Sequence, residues 1–413
     1  MKTGAVNKLL MLYIPGMDVR WLATDHTPYI ASLFETFPHT TTTSYPSVEQ
    51  LSTVITGMRP HEHGIWLAKL RPRSRVTPAQ RLVDVLPDIV TTTAQCAAHR
   101  IAKCCPMGTI PPRRRRKLHF EKMKFYGRAN TETLLDELAS HGVQDSLLSA
   151  LGTDRCHYTF TDRFADREWL LRGMGRGCRL EIVQFHALDI LGHFYLETPE
   201  EFHAYYSEVD EFVRRVHEKC QANGMTMVLL SDHGQERVTR FIDLKGALRA
   251  LEVAEDDYTI FMESMKARFW FHTDKARQVV TAFLSRSEDG TLVSYQEMHR
   301  HHVEFPNADF GEVYFMAHPG AVFFPDDFFH PVVNLYFGLK EWEKRRRLRN
   351  PRLRGQHGYL PIYPSEQGFM AVLNRQFMVE GRGMELRDVA PSLLELLAEP
   401  IPPFMKGTSR FHR

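Results

Sequence analysis

A chain of 413 residues with 25% charged side chains and a formal net charge of +2 has no global field to draw it to nucleic acid, and it exceeds what one core comfortably fills. No apolar stretch reaches the roughly 18 residues that a membrane span requires. Six scattered cysteines (Cys96, Cys104, Cys105, Cys156, Cys178 and Cys220) form no CxxC pair, which argues against a zinc ribbon and a secreted disulfide framework and leads us to expect a reducing, cytoplasmic setting.

In chain order, Leu9 to Ile14 reads as a first buried strand that turns at Pro15-Gly16. The run is as short as a signal h-region, but no small-residue cleavage site follows it. In SYPSVEQLSTVITG, Val48, Leu51, Val54 and Ile55 recur at helical spacing and stop at Gly57. That spacing predicts Ser47 at a helix N-cap, beside free N–H groups and the positive end of the dipole. From this segment alone Ser47 is either a simple cap or a nucleophile. Residues 66–135, rich in Arg, Pro and short apolar pieces, read as an excursion near the substrate. They include the block Arg113 to Arg116 with Lys117, which is either a solvated loop or an attractor of an anionic substrate or surface.

Further strands are expected at Ile182–Leu188, Met225–Leu230, Arg268–His272, Val313–Met316 and Phe369–Leu373. A helix starts at Thr198-Pro199, runs to Ala222 and closes on Asn223-Gly224. Another starts at Asp274 with Ala276, Val279, Val280 and Phe283 on one stripe, and a last one spans Asp388 to Leu397. This alternation predicts an α/β fold, a mostly parallel sheet sandwiched by helices; residues 247–312 fit it poorly, as a strand-helix-strand unit between Asp232-His233 and His357, and are expected to form a small inserted α+β cap. We place the first part of the core at 1–246, the cap at 247–312 and the second part of the core at 313–413.

Chemistry gathers where apolar runs end. HALDILGH carries Asp189 and His193, LLSDHGQE carries Asp232 and His233, and RGQHGY carries His357. Asp and neutral His are ligands that borderline divalent cations accept, and the carboxyl ends of strands are where an open α/β sheet binds ligands. Five candidate donors in three such places point to a metal-assisted hydrolase.

The ordered set of Gly16, the segment Thr56 to Ile65 (TGMRPHEHGI), Asp189 to His193, Ser231 to Gly234 and Gly355 to Gly358, with DVAPSLLELL and a closing Gly407-Thr-Ser-Arg, resembles the type I phosphodiesterase/nucleotide pyrophosphatase group of the alkaline phosphatase superfamily. The resemblance implies an alkaline phosphatase-like core and two divalent metal ions bridged by the reacting phosphate. Zinc is the expected metal, with manganese as the alternative. Asp189, His193 and His357 would hold one ion; Asp232 and His233 would hold the other together with the nucleophile. Counting back from Gly57 as in the family places that nucleophile at Ser47, and His63 belongs to packing. Two positions depart from the pattern. Pro15 stands where the family has a ligand Asp, so that Asp18 becomes the candidate substitute. Ala68 stands where the diesterases have Asn, with Lys69 beside it to offer charge.

The expected function is hydrolysis of phosphodiester or phosphoanhydride bonds in a small phosphorylated substrate, rather than a nucleic-acid polymer, through a phosphorylated Ser47. Two alternatives follow from the same residues: a phosphomonoesterase, phosphonate hydrolase or phosphotransferase on this fold, and a non-catalytic binding protein with a degraded site.

Overall fold

The first strand, β1 (Leu9–Tyr13), is buried at every position. Its side chains alternate between two cores, with Leu9, Met11 and Tyr13 in one and Leu10 and Leu12 in the other. A strand with two apolar faces needs a layer on each side, which is the condition of a covered parallel sheet. The computed structural model describes residues 6–22, 25–46, 49–66, 70–72, 85–102, 118–120 and 125–413.

The main sheet takes β2 (His39–Thr43), β3 (Arg128–Asn130), β4 (Cys156–Thr161), β5 (Leu180–Phe185) and β6 (Thr226–Ser231) before an insertion. The insertion forms β7 (Tyr258–Met262), β8 (Lys266–Phe271), β9 (Gly290–Ser294) and β10 (Val313–Ala317); β11 (Gln367–Val372) and β12 (Met384–Glu385) then complete the main sheet. Its order is β12-β2-β11-β6-β1-β5-β4-β3. β1 pairs in parallel with β5 and β6, β4 with β5 and β12 with β2, while β11 is antiparallel to both its neighbours and β3 is antiparallel to β4. The sheet is thus mostly parallel, as the alternation predicts.

The helices that matter here are α1 (Leu51–Thr56), α2 (Asp88–Ala102), α3 (Ala187–Tyr195), α4 (Pro199–Ala222), α5 (Asp274–Ser285), α6 (Pro331–Lys340) and α7 (Val389–Leu396). α4 has the bounds read from its Thr-Pro start and Asn-Gly stop, and it buries Phe202, Tyr206, Val209, Val213 and Val216 along one stripe. Each such side chain contributes roughly 1.5–3 kcal/mol on removal from water.

Two readings change. The apolar run at Ile182–Leu188 is not strand throughout: β5 stops at Phe185 and α3 starts at Ala187, because Ala187, Leu188, Leu191, Phe194 and Tyr195 recur at helical spacing and all are buried. The second sheet, ordered β7-β8-β10-β9 and antiparallel throughout, extends to Ala317, so β10 lies in it and not in the main sheet. Its own core includes Met262, Phe269, Val280, Leu284 and Phe315. Residues 67–69, 73–84, 103–117 and 121–124 of the expected excursion lie outside the described residues, and with them Arg113 to Arg116, Lys117, Ala68 and Lys69.

Candidate metal centre

The first turn of α3 carries Asp189, and one turn on, at i+4, sits His193, so the two share a face. His193 Nε2 is 3.7 Å from Asp189 Oδ2, and His186, the residue before the helix, brings its Nε2 to 3.5 Å from the same oxygen. His357 follows the short strand Gly355–Gln356 and reaches Asp189 Oδ1 at 3.3 Å. Asp232 and His233 follow β6, with His233 Nε2 3.5 Å from Asp232 Oδ2. The His233 ring stacks on His357 at 3.7 Å between centroids. Among the described residues, Asp189, His233 and His357 present donor atoms that all lie within 4.8 Å of one another. All five expected donors therefore converge, and His233 sits with the Asp189–His357 pair rather than apart from it.

Backbone carbonyls fix the tautomers. A carbonyl only accepts, so His193 Nδ1–H donates to Gly355 O at 2.9 Å and His233 Nδ1–H donates to Gly234 O at 2.9 Å. Each Nε2 is left as a lone pair facing the carboxylates, the arrangement in which imidazole binds a metal. Burial, and after it the neighbouring His233, pulls the His357 pKa well below its ordinary value, which keeps that ring neutral. Burial opposes ionisation of Asp189, yet His193, His357, His186 and His233 together hold its carboxyl well below the usual range. His233 is lowered by burial but raised further by Asp232, Asp189 and Glu366, so its net shift is upward.

A second ring of contacts holds the donors. Gln235 Nε2 donates to Asp189 Oδ1 at 2.6 Å and to Asp189 O at 2.8 Å. Its side chain passes so close over Gly192 that a Cβ there would sit 1.8 Å from Gln235 Oε1, which explains the glycine inside the Asp189–His193 motif. Tyr13, the last residue of β1, donates its hydroxyl to Asp232 Oδ2 at 2.7 Å. Gly16 turns with φ of 73° and lies against Asp189, where a Cβ would meet Asp189 Cα at 2.9 Å. Sequence reading misses Gln235, Tyr13 and His186. The signals were present: Gln235 follows the Asp-His-Gly motif directly, Tyr13 ends a strand, and His186 lies three residues before Asp189.

Asp18 is placed elsewhere. It is fully buried, caps the 3₁₀ helix Val19–Trp21, pairs with Arg20 at 2.7 Å and accepts from Gln235 N at 3.0 Å. With both oxygens so engaged, it serves as a turn cap and does not join the donors around Asp189. That corrects the expectation that it replaces the Asp missing at Pro15. The helix cap is corrected too. α1 starts at Leu51, and the Glu49 carboxylate takes the N–H groups of Leu51 (2.6 Å) and Ser52 (2.9 Å), where Ser47 was expected to cap. A carboxylate is the stronger partner for a helix start. Ser47 itself lies outside the described residues. Ser44 directly follows β2, is buried, and directs its hydroxyl to Glu366 Oε2 at 3.4 Å. Glu366 also accepts from Gly358 N at 2.8 Å, and burial pushes its pKa up to about 7. His63 is buried with both ring nitrogens engaged, Nε2 with Thr53 Oγ1 at 3.1 Å and Nδ1 with Ile65 N at 3.0 Å.

A cavity of about 480 Å³ opens beside the donors, with Asp189 and His193 in one wall, Phe125, Tyr126 and Phe160 in another, and Lys344 at its side. That size suits a small ligand. The donor set, two carboxylates and three imidazoles of which His193 and His233 have their tautomers fixed from behind, fits a divalent cation of borderline hardness.

The model of the family described as type I phosphodiesterase / nucleotide pyrophosphatase matches residues 9–359. No curated protein matches the chain by sequence. Among solved structures, murine ectonucleotide pyrophosphatase/phosphodiesterase 5 is similar at a TM-score of 0.59 and 16% identity, covering 96% of each chain. The inactive form of the murine protein in complex with AMP gives 0.58 and 14%, again over 96% of each chain. The human protein of the same name gives 0.57 and 14% over 97% of each. These structures share the alkaline phosphatase-like α/β fold with this chain.

Proposed function

Because the chain belongs to the type I phosphodiesterase/nucleotide pyrophosphatase family, we propose that it is a metal-dependent hydrolase that opens a phosphodiester or phosphoanhydride bond of a small phosphorylated substrate through a serine nucleophile. The observation that carries this reading is the meeting of Asp189, His233 and His357 at one point, with His193 and Asp232 beside them, next to a cavity of ligand size. Bound divalent cations, zinc by this donor set, supply Lewis-acid polarisation of the phosphoryl oxygens. The chain's own part is positional. Gln235 and Tyr13 hold the two carboxylates, carbonyls hold His193 and His233, and the aromatic wall of the cavity receives the leaving group. The serine oxygen forms a bond to phosphorus while the leaving oxygen departs, and water then opens the phosphoserine.

Ser47 is the serine that the family spacing favours. One observation favours Ser44 as a second reading: it is buried at the carboxyl end of β2, and its hydroxyl faces a carboxyl whose pKa lies near neutrality. The test is a panel of aryl phosphodiesters, aryl monoesters and nucleotides, run with zinc or manganese and with a chelator. Diester or pyrophosphate turnover that the chelator abolishes is expected. The same panel on Ser47→Ala and Ser44→Ala assigns the nucleophile, with a loss on the order of 10⁴-fold for the true one. A chain that binds no metal and turns over nothing overturns the proposal in favour of a binding protein. Preference for monoesters moves it to the phosphomonoesterase alternative.

A further inference from the structure

Beside the cavity, α6 and the 3₁₀ helix Trp342–Leu348 lie side by side. They are so close that a Cβ on Gly338 would meet Leu348 Cγ at 2.7 Å. Their outward positions are apolar: Leu335 is 56% exposed, Leu339 72%, Trp342 51% and Leu348 41%. α2 packs on α6 through Cys96, Val333 and Phe337 and leaves Ile89, Val90 and Ile101 exposed as well. Lone exposed leucines are ordinary, but neighbouring ones on packed elements mark a surface meant to be covered.

The same stretch is basic. From Lys344 to Arg354 it holds seven cations and no acid. Some are engaged: Lys344 pairs with Glu341, Arg346 and Arg354 pair with Glu197, and Arg352 lies over Phe241. Arg345 and Arg349 are exposed, and among the described residues neither joins an ion pair.

We propose that this face docks on an anionic lipid bilayer, with Leu335, Leu339 and Trp342 entering the headgroup boundary and Arg345 and Arg349 meeting lipid phosphates. Tryptophan and leucine beside arginine is the side-chain mixture that an interface with one apolar and one anionic layer rewards. A nucleic acid would engage the arginines but give Leu335 and Leu339 nothing to be buried in. A second copy across a two-fold axis would set like charges on one shared patch. Lys344 also lines the catalytic cavity, so the docked face borders its side.

The test is sedimentation of the full chain with vesicles of phosphatidylcholine alone and of phosphatidylcholine with one-third phosphatidylglycerol. Binding to the anionic vesicles only is expected, weakened by added salt, with a blue shift of tryptophan fluorescence that Trp342→Phe removes. Leu339→Glu and Arg345→Glu should each weaken binding on the order of tenfold. Met378→Glu, at an exposed apolar position of another edge, should not change it. Because these side chains are exposed, the variants should keep the wild-type melting temperature, and circular dichroism checks that they do. No binding to either vesicle, or binding that Leu339→Glu and Arg345→Glu leave intact, overturns the proposal. So does a dimer in light scattering that Leu339→Glu converts to the 47.9 kDa monomer, because the occupant is then a second copy.

Discussion

Two histidine environments differ in one respect. His193 and His233 each have Nδ1 tied to a main-chain carbonyl, and each turns Nε2 towards a carboxylate. His63, in the segment that leads out of α1, has both nitrogens tied to its own neighbourhood, one to Thr53 and the other to Ile65. The first arrangement leaves a directed lone pair and a nearby negative charge, which a cation can use. The second leaves nothing. A histidine's role is therefore set by what the other nitrogen does, and burial alone does not separate the cases, since His233 and His63 are about equally buried at 4% and 5%. The same contrast separates Asp189, whose oxygens face three imidazoles, from Asp18, whose oxygens face Arg20 and a main-chain N–H.

The largest effect expected from breaking this contrast is at Asp189. Asp189→Ala should abolish binding of at least one metal ion and lower turnover by roughly 10³-fold. Lewis-acid assistance is worth several kcal/mol, at about 1.4 kcal/mol per factor of ten. Metal content by mass spectrometry of the metal-loaded protein, measured beside the rate, checks it. Full metal content in this variant would show that Asp189 balances histidine charge and does not bind metal.

A smaller effect is expected one layer out. Gln235→Ala removes the amide that holds Asp189, and metal affinity should fall by about 10–100-fold, the range for partners that orient a ligand. Titration with a competing chelator reads this directly. Unchanged affinity would mean that α3 alone positions Asp189.

Asp189, His193, Asp232 and His233 were readable in sequence because they follow the buried strands β5 and β6, whereas His357 follows the short strand Gly355–Gln356 after a basic stretch and was legible only through its Gly-Gln-His-Gly motif. Those four need only the strand assignments to be placed together. The nucleophile position was read by counting back from Gly57 as in the family, but its place at a helix N-cap was read from helical spacing, which assumes that the helix fills the whole interval. It does not: Glu49 caps a helix that starts at Leu51, so the interval to Ser47 includes non-helical chain that spacing cannot describe. Gln235 and Tyr13 escaped for another reason. Their roles depend on side chains crossing between segments that are distant in sequence, over 46 and 219 residues, and no local pattern records that. The inserted unit was expected where residues 247–312 break the alternation, but its last strand was not assigned to it, because β10 is apolar enough to pass for a core strand.

Asp18 sharpens the comparison from the other direction. As a turn cap it should matter to stability and leave metal binding alone. Asp18→Ala should cost about 2 kcal/mol, from one lost cap and the partly exposed pair with Arg20. Urea denaturation measures the cost, and metal content should match the wild type. Loss of one metal ion with little loss of stability would restore Asp18 as the substitute for the missing Asp at Pro15.

An effect of similar size is a pH dependence at His63. Burial, and after it the neighbouring His141 and His61, lowers its pKa from 6.5 to about 3. The folded-state pKa is depressed, so the unfolded chain binds a proton that the folded chain refuses between those values. Stability from this group is present above about pH 6.5 and is lost as pH falls towards 3. At pH 5 the loss relative to pH 7 is about 2 kcal/mol, since roughly 1.5 units of the shift have been crossed at about 1.4 kcal/mol each. Acid also protonates the carboxylates and the donor histidines, so the wild-type curve alone does not isolate His63. His63→Gln does. Glutamine offers a donor and an acceptor for the same two partners but cannot take up a proton in this range. The variant should lose about 1 kcal/mol at pH 7 through imperfect hydrogen bonds, yet fall less steeply towards pH 5. The two curves should therefore approach or cross as the pH drops. Parallel curves would mean that the His63 ring accepts a proton in the folded state, and that Ile65 N–H then finds another acceptor.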